Sequence, residues 1–205
     1  TLTAAVNAYN TSCLSGPVVF QLMDALYSGS ETFPVTIGNP AASAVNTLTI
    51  RPAAGVNAQI IGSVDGNAII KFNGADYVTI DGSNNGTASQ NLTIRNNSTT
   101  SNPVVIWMGS VSAANGATNN VVKNSVIIGG GNTQTYAGIF SGSGTTIGNN
   151  AEAANNNNQY QNNTIHTANR GISLHGVGAG DNTTLITQNK IGSTNAVEKL
   201  GFRGI

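Results

Sequence analysis

Three short apolar runs lie close together in NAIIKFNGADYVTIDGSNNGTASQNLTIRN, residues 67–96, and they constrain the fold more than any other feature. They are Ala68 to Phe72, Tyr77 to Ile80 and Leu92 to Ile94. Each is too short for a helix and rich in β-branched residues, so each predicts a strand. The intervening NGAD and DGSNNGTASQ are turn chemistry, because Gly takes positive φ freely and Asn and Asp tolerate it. Strand, tight turn, strand, tight turn, strand describes one coil of a β-solenoid.

The rest of the chain repeats this pattern with loops of varying length. Predicted strands fall in PVVFQLMDALY (17–27), FPVTI (33–37), TLTIRP (47–52), AQIIG (58–62), PVVIWMG (103–109) and NVVKNSVIIGG (120–130). Further ones follow in YAGIFSG (136–142), YQNNTIHTA (160–168), RGISLHG (170–176), TLITQNKIG (184–192) and FRGI (202–205). Gly-Ile recurs at Gly138-Ile139, Gly171-Ile172 and Gly204-Ile205, each 33 residues after the last. An Asn also recurs just before an apolar position, at Asn124, Asn163 and Asn189. In a solenoid, equivalent positions stack at about 4.8 Å, so a repeated Ile becomes an internal column and a repeated Asn an amide ladder. The predicted fold is all-β, a right-handed parallel β-helix. A β-sandwich would need cleaner apolar–polar alternation and hairpin turns.

Residues 1–10, TLTAAVNAYN, differ. Leu2, Ala5, Val6 and Tyr9 share one helical face, and Thr1 or Thr3 can serve as N-cap. An open solenoid end exposes core and strand edges, so a short helix there predicts a cap. The expected organisation is a cap over 1–16 and coils over 17–205. FRGI ends in mid-repeat, so the coils are expected to continue beyond it. GSVSAANGATNN (109–120) and GNNAEAANNNNQYQNN (148–163) are expected to protrude as low-complexity insertions.

Composition excludes several functions. Only 8% of residues are charged and the net charge is zero, which gives no electrostatic footprint for nucleic acid or an anionic membrane. No run of about 18 apolar residues predicts a membrane span. The lone Cys13 rules out a disulfide framework within the chain and predicts a small buried hydrophobe. No cofactor or metal site is expected.

SGPVVFQLMDALYSGSETFPVTIG, TLTIRPAAG, FNGADYVTIDGSNNGTASQNLTIRN and the later coils resemble the parallel β-helix repeats of large secreted Bacteroidota cell-surface proteins. Those proteins commonly carry a C-terminal sorting domain for type IX secretion. FNGADYVTIDG is the most specific phrase; the shorter coil signatures are generic to pectin-lyase-like β-helices. The resemblance covers nearly the whole chain and implies an extracellular or outer-surface location.

Glycoside hydrolases need converging carboxylates, and polysaccharide lyases need a base, often beside Ca²⁺ held by acids. Here the acids are Asp24, Glu31, Asp65, Asp76, Asp81, Glu152, Asp181 and Glu198, with no two adjacent or two apart. Asp65, Asp76 and Asp81 sit beside Gly or Ala in turn contexts and predict Asx-turn caps. His166, Arg170 and His175 are the catalytic candidates, placed to face one groove from neighbouring strands. With no carboxylate beside them, the simpler reading is unrelated surface groups. Tyr77, Trp107, Tyr136 and Tyr160 are candidates for a sugar-stacking strip, although Trp107 lies in an apolar run that predicts burial. Thr47, Thr49, Thr79 and Thr93 are too irregularly spaced for an ice-binding threonine array.

The chain is therefore expected to be a non-catalytic structural or adhesive module. Its expected partners are polysaccharide or other copies of a surface protein. The alternatives are a carbohydrate-active β-helix enzyme, either polysaccharide lyase or glycoside hydrolase, and a carbohydrate-binding module.

Overall fold

The computed structural model describes residues 1–100, 102–178 and 180–205. A helix, α1 (Leu2–Thr11), precedes β1 (Val18–Leu22), β2 (Leu26–Tyr27), β3 (Val35–Ile37), β4 (Leu48–Pro52), β5 (Ala58–Gly62) and β6 (Ile70–Asn73). Then come β7 (Val78–Asp81), β8 (Leu92–Asn96), β9 (Val104–Ser110), β10 (Val121–Lys123), β11 (Ser125–Ile128) and β12 (Ala137–Ser143). The last are β13 (Gln159–Gln161), β14 (Thr164–His166), β15 (Arg170–Leu174), β16 (Leu185–Thr187) and β17 (Lys190–Ile191).

Every third strand joins the same sheet. Sheet A is β1-β4-β7-β10-β13-β16, sheet B is β2-β5-β8-β11-β14-β17, and sheet C is β3-β6-β9-β12-β15. All pairs between these strands are parallel, which makes the chain a parallel β-solenoid with three faces. FRGI forms no strand. An isolated Arg170–Arg203 bridge ties it to β15, with Gly171 N–H donating to the Arg203 carbonyl and Ile172 N–H to the Gly204 carbonyl, each at 2.9 Å.

One aliphatic or aromatic column runs up the inside of each sheet. In sheet A it is Phe20, Ile50, Ile80, Val122, Tyr160 and Ile186. In sheet B it is Tyr27, Ile60, Ile94, Ile127, Ile165 and Ile191. In sheet C it is Val35, Ile70, Ile106, Ile139 and Ile172. The predicted alignment of Ile139 with Ile172 is present, and the Arg170–Arg203 bridge sets Ile205 next in line. Nearly all of the central members are fully buried, and each such side chain contributes about 1.5–3 kcal/mol. The repeated glycines follow from this packing. A Cβ on Gly138 would lie 2.4 Å from Ile165 Cγ2, and one on Gly171 would lie 2.3 Å from Ile191 Cγ2.

The helix covers the first coil. Leu2, Val6 and Tyr9 are buried in the common core, and the Thr1 hydroxyl accepts from Ala4 N–H at 3.2 Å. Glu31 completes the helix start by accepting from Leu2 N–H at 2.8 Å and Thr3 N–H at 2.7 Å. Burial alone would raise the Glu31 pKa. The bonds from Thr3 and Leu2 outweigh it and hold the carboxyl below its usual range. Cys13 is exposed rather than buried. It sits in the linker after α1, where Tyr9 and Val6 already fill the helix–coil contact.

The corners carry the polar order. At the bend into sheet A, Tyr77, Asn119, Asn157 and Thr183 all have φ between 56° and 59° and occupy equivalent positions. At the bend from A to B, Asn124, Asn162 and Gln188 do the same, at 56°, 49° and 56°. Left-handed backbone costs a non-glycine residue about 1–2 kcal/mol, least for Asn, which explains the Asn-rich corners. The residue after each bend can point inward. Buried Asn120 and Asn158 bond one another across coils, with Asn158 Oδ1 accepting from Asn120 N–H at 2.9 Å.

Two expectations change accordingly. The amide ladder has a different register from the one the Asn spacing suggested. Asn163 Nδ2 donates to Asn189 Oδ1 at 3.0 Å, but Asn124 lies one residue earlier in its coil, so Ser125 takes the rung below Asn163. Asn124 instead joins Asn162, whose Nδ2 donates to Asn124 Oδ1 at 2.8 Å. Nor is 148–163 a protruding insertion, because Asn155, Asn158 and Asn163 are fully buried. Asn155 Oδ1 accepts from Ala117 N–H at 2.8 Å, and its Nδ2 donates to Ser141 Oγ at 3.1 Å. The other expected insertion does protrude at its centre, where residues 111–115 are exposed, while Ser110, Ala117 and Asn120 at its two ends are buried.

Candidate functional site

The outer face of sheet C carries a second apolar cluster. Trp107 and Phe140 occupy registered positions on β9 and β12 and pack with Ala68, Val104 and Ala137. The segment after β12 folds back over them. Trp107 Nε1 donates to the Ser143 carbonyl at 2.8 Å, and Lys71 Nζ lies 4.0 Å from the Trp107 ring centroid while donating to the Gly144 carbonyl at 2.6 Å. Burial pushes the Lys71 pKa down, and Glu152 opposes that shift. Glu152 pins the segment by accepting from Ser110 Oγ at 2.5 Å, Ser143 Oγ at 2.5 Å and Gly144 N–H at 3.2 Å. Trp107 is therefore buried, as its sequence context predicted.

The aromatic packing continues along the axis. Tyr136 meets Phe140 edge-on at 5.7 Å between centroids, and His175 stands 5.5 Å from Phe140. Here a cleft of about 400 Å³ opens. Tyr136, Arg170, Ser173, His175, Phe202 and Arg203 supply its polar and aromatic walls. The Arg170 guanidinium lies 4.3 Å from the Tyr136 centroid and 5.6 Å from Phe202, and donates to Asn169 Oδ1 at 3.1 Å. The Arg203 guanidinium lies 4.5 Å from the Phe202 centroid. His175 Nε2 is 3.2 Å from both the Tyr136 hydroxyl and Ser173 Oγ. Burial lowers the His175 pKa, and the Arg170 charge lowers it further.

Of the sequence candidates, Arg170 and His175 share this cleft and His166 does not. His166 ends β14 in sheet B, with Nδ1 2.8 Å from Thr167 Oγ1. Its pKa is lowered chiefly by burial, against an opposing pull from Glu198. The sugar-stacking strip does not form. Tyr160 is fully buried in the sheet A column, Trp107 is covered, and Tyr136 is faced by Arg170. The threonine array is also absent. Thr49 and Thr79 are registered neighbours, but Val19 precedes them and Val121 follows.

Phe202 and Arg203 were missed as site residues. The signal was available: Arg203-Gly204-Ile205 repeats Arg170-Gly171-Ile172 at the same 33-residue interval, so a second Arg lands one rung above the first.

Seven of the eight carboxylates, all but Asp24, lie elsewhere and serve the fold. Asp76 accepts from Thr118 N–H at 2.8 Å, Asp81 from Ser83 N–H at 3.0 Å and Asn124 Nδ2 at 2.7 Å, and Asp181 from Asn155 N–H at 2.9 Å. Asp65 accepts from Ser98 Oγ, and Glu198 from Ser193 Oγ at 2.8 Å. Asp81 is thus the Asx-turn cap its context predicted, whereas Asp65 and Asp76 reach across to neighbouring coils. Among the described residues no three His, Cys, Asp or Glu side chains come together as a metal site, and no helix is long and apolar enough to cross a membrane.

The chain matches no protein-family model, no curated protein and no solved structure.

Proposed function

We propose that this chain is a non-catalytic structural module, a rigid solenoid segment of an extracellular or outer-surface protein. The observation that carries this reading is the use of the carboxylates. Glu31, Asp65, Asp76, Asp81, Glu152, Asp181 and Glu198 each accept hydrogen bonds that hold a helix start, a corner or a loop. Glycoside hydrolysis needs two free carboxyl groups facing one bond, and acids committed to corners do not supply them. Of the candidates His166, Arg170 and His175, only the last two meet. Neither has a carboxylate partner with which to share acid–base work.

The location follows from FNGADYVTIDG and its likeness to the β-helix repeats of secreted Bacteroidota surface proteins, which also makes type IX secretion the proposed export route. The expected partners are polysaccharide or further copies of a surface protein. The test is incubation of the purified chain with a panel of neutral and acidic polysaccharides, scoring reducing ends and unsaturated products. No turnover is expected. Turnover that disappears in an Arg170→Ala/His175→Ala variant would replace the scaffold reading with the enzyme reading.

A further inference from the structure

The two arginines on β15 and the rung above it are hard to explain by folding alone. Their backbones form a parallel bridge, which roots two cationic side chains on neighbouring rungs of backbone spaced about 4.8 Å apart. Like charges directly opposite in a sheet are destabilising. Elsewhere this solenoid avoids the problem: Lys123 stands over its registered neighbour Asp81, with Nζ 3.2 Å from Oδ2. Neither Arg170 nor Arg203 has a carboxylate within ion-pair distance among the described residues. Both are held by aromatic rings, Arg170 by Tyr136 and Arg203 by Phe202, and Arg170 is further fixed by Asn169. Only one of the five N–H donors of Arg170 is used by that bond.

We propose that Arg170 and Arg203 form an oxyanion-binding site that takes a carboxylate or sulfate group carried by a small ligand. A guanidinium presents a planar fork suited to two oxygens, and a pair on adjacent rungs can grip one anion between them. Stacking fixes both forks in advance, so little side-chain entropy is lost on binding. Ser173 Oγ and the Tyr136 hydroxyl lie at the same wall and can donate to further oxygens of the ligand. Stacked rings that face guanidinium groups do not offer a free platform to a neutral sugar, which sets this site apart from an aromatic sugar strip. The cleft volume of about 400 Å³ is in the range of small-molecule pockets. The inference concerns binding and does not depend on whether the scaffold reading holds.

The test is a nuclear magnetic resonance titration of the whole chain with sodium sulfate and, separately, sodium acetate, against sodium chloride at equal ionic strength. The expected result is saturable movement of the Arg170, Arg203 and His175 side-chain signals with at least one of the two oxyanions and not with chloride. Response to sulfate alone assigns a tetrahedral ligand group, response to acetate alone a planar one, and response to both a site for either. Arg170→Gln and Arg203→Gln should each weaken binding about tenfold, since each removes a charged donor set. Arg203→Lys keeps the charge and the fold but loses the fork, and should weaken binding by less than Arg203→Gln. No saturable response to either oxyanion in the unaltered protein overturns the proposal. So does affinity that is unchanged in a folded Arg170→Gln/Arg203→Gln variant.

Discussion

Replacing Asn163 with Ala should be among the most damaging single changes outside the hydrophobic columns. Asn163 is fully buried and works in both directions along the axis. Its Oδ1 accepts from Ser125 N–H in the coil below at 3.0 Å. Its Nδ2 donates to the Val122 carbonyl at 2.9 Å and to Asn189 Oδ1 at 3.0 Å. Ser125 is also fully buried, so truncation leaves its N–H with no water to turn to. An unsatisfied buried donor costs about 1–3 kcal/mol, and loss of the bond to Val122 adds about 1 kcal/mol. The total, about 2–4 kcal/mol, is a large share of the 5–15 kcal/mol typical of a folded domain. Urea unfolding should be followed by far-ultraviolet circular dichroism and by fluorescence of the single Trp107, to establish that both report one transition. Asn182→Ala is the control. Asn182 is exposed and its hydrogen bonds all use its backbone N–H and carbonyl, so it should shift stability by less than about 0.5 kcal/mol. An Asn163→Ala loss as small as the control's would refute the claim that the corner amides bind coil to coil.

Three other perturbations follow from the same geometry. Gly171→Ala pushes a methyl to 2.3 Å from Ile191 Cγ2 and 2.5 Å from the Gly204 carbonyl oxygen, and should cost about 1–3 kcal/mol; Gly16→Ala, with nothing within 4 Å, should be near neutral by thermal melting. The Glu31 pKa is depressed in the folded chain, so its contribution is present above the unfolded carboxyl value of about 4.3 and is lost as pH falls through the folded value. Glu31→Gln should therefore destabilise at pH 7, and the difference from the unaltered chain should close in acid. His175 should titrate below its ordinary value of about 6.5 in a resonance-monitored pH series, through burial and then Arg170, and Arg170→Gln should move it upward. The other polar groups touching its ring are Tyr136 and Ser173, neither of which changes charge over that range.

Much of the architecture was legible because strand signals are local. VTID at 78–81 and LTIR at 92–95 alternate inward apolar with outward polar residues, and each became a strand with that burial pattern. The Gly-Ile repeat was legible too, since it reflects one recurring packing problem, an Ile of sheet B pressing on the backbone of sheet C. What escaped was register at the corners. A one-residue difference in bend position decides whether Asn124 or Ser125 faces Asn163, and bend length is not encoded in any single residue type. The Asn-rich stretch 148–163 misled because the composition of a solvated loop is also that of stacked left-handed corners. Those corners favour Asn for its tolerance of positive φ and its two-way amide. The site was half legible: Arg170 and His175 were found, but Phe202 and Arg203 lie in FRGI, whose Gly-Ile repeat signals core packing and which forms a bend where a strand was expected.

The central claim is that equivalent residues climb the axis one rung at a time. The outward column Val19, Thr49, Thr79, Val121, Gln159 and Leu185 offers exposed positions for measuring it. Spin labels should be placed at Val19 and Gln159, and at Val19 and Leu185, with Cys13 changed to Ser. At about 4.8 Å per rung, the label separations from double electron–electron resonance should be roughly 19 Å and 24 Å, differing by one rung. Equal separations, a reversed order, or values far beyond that range would contradict the parallel stack.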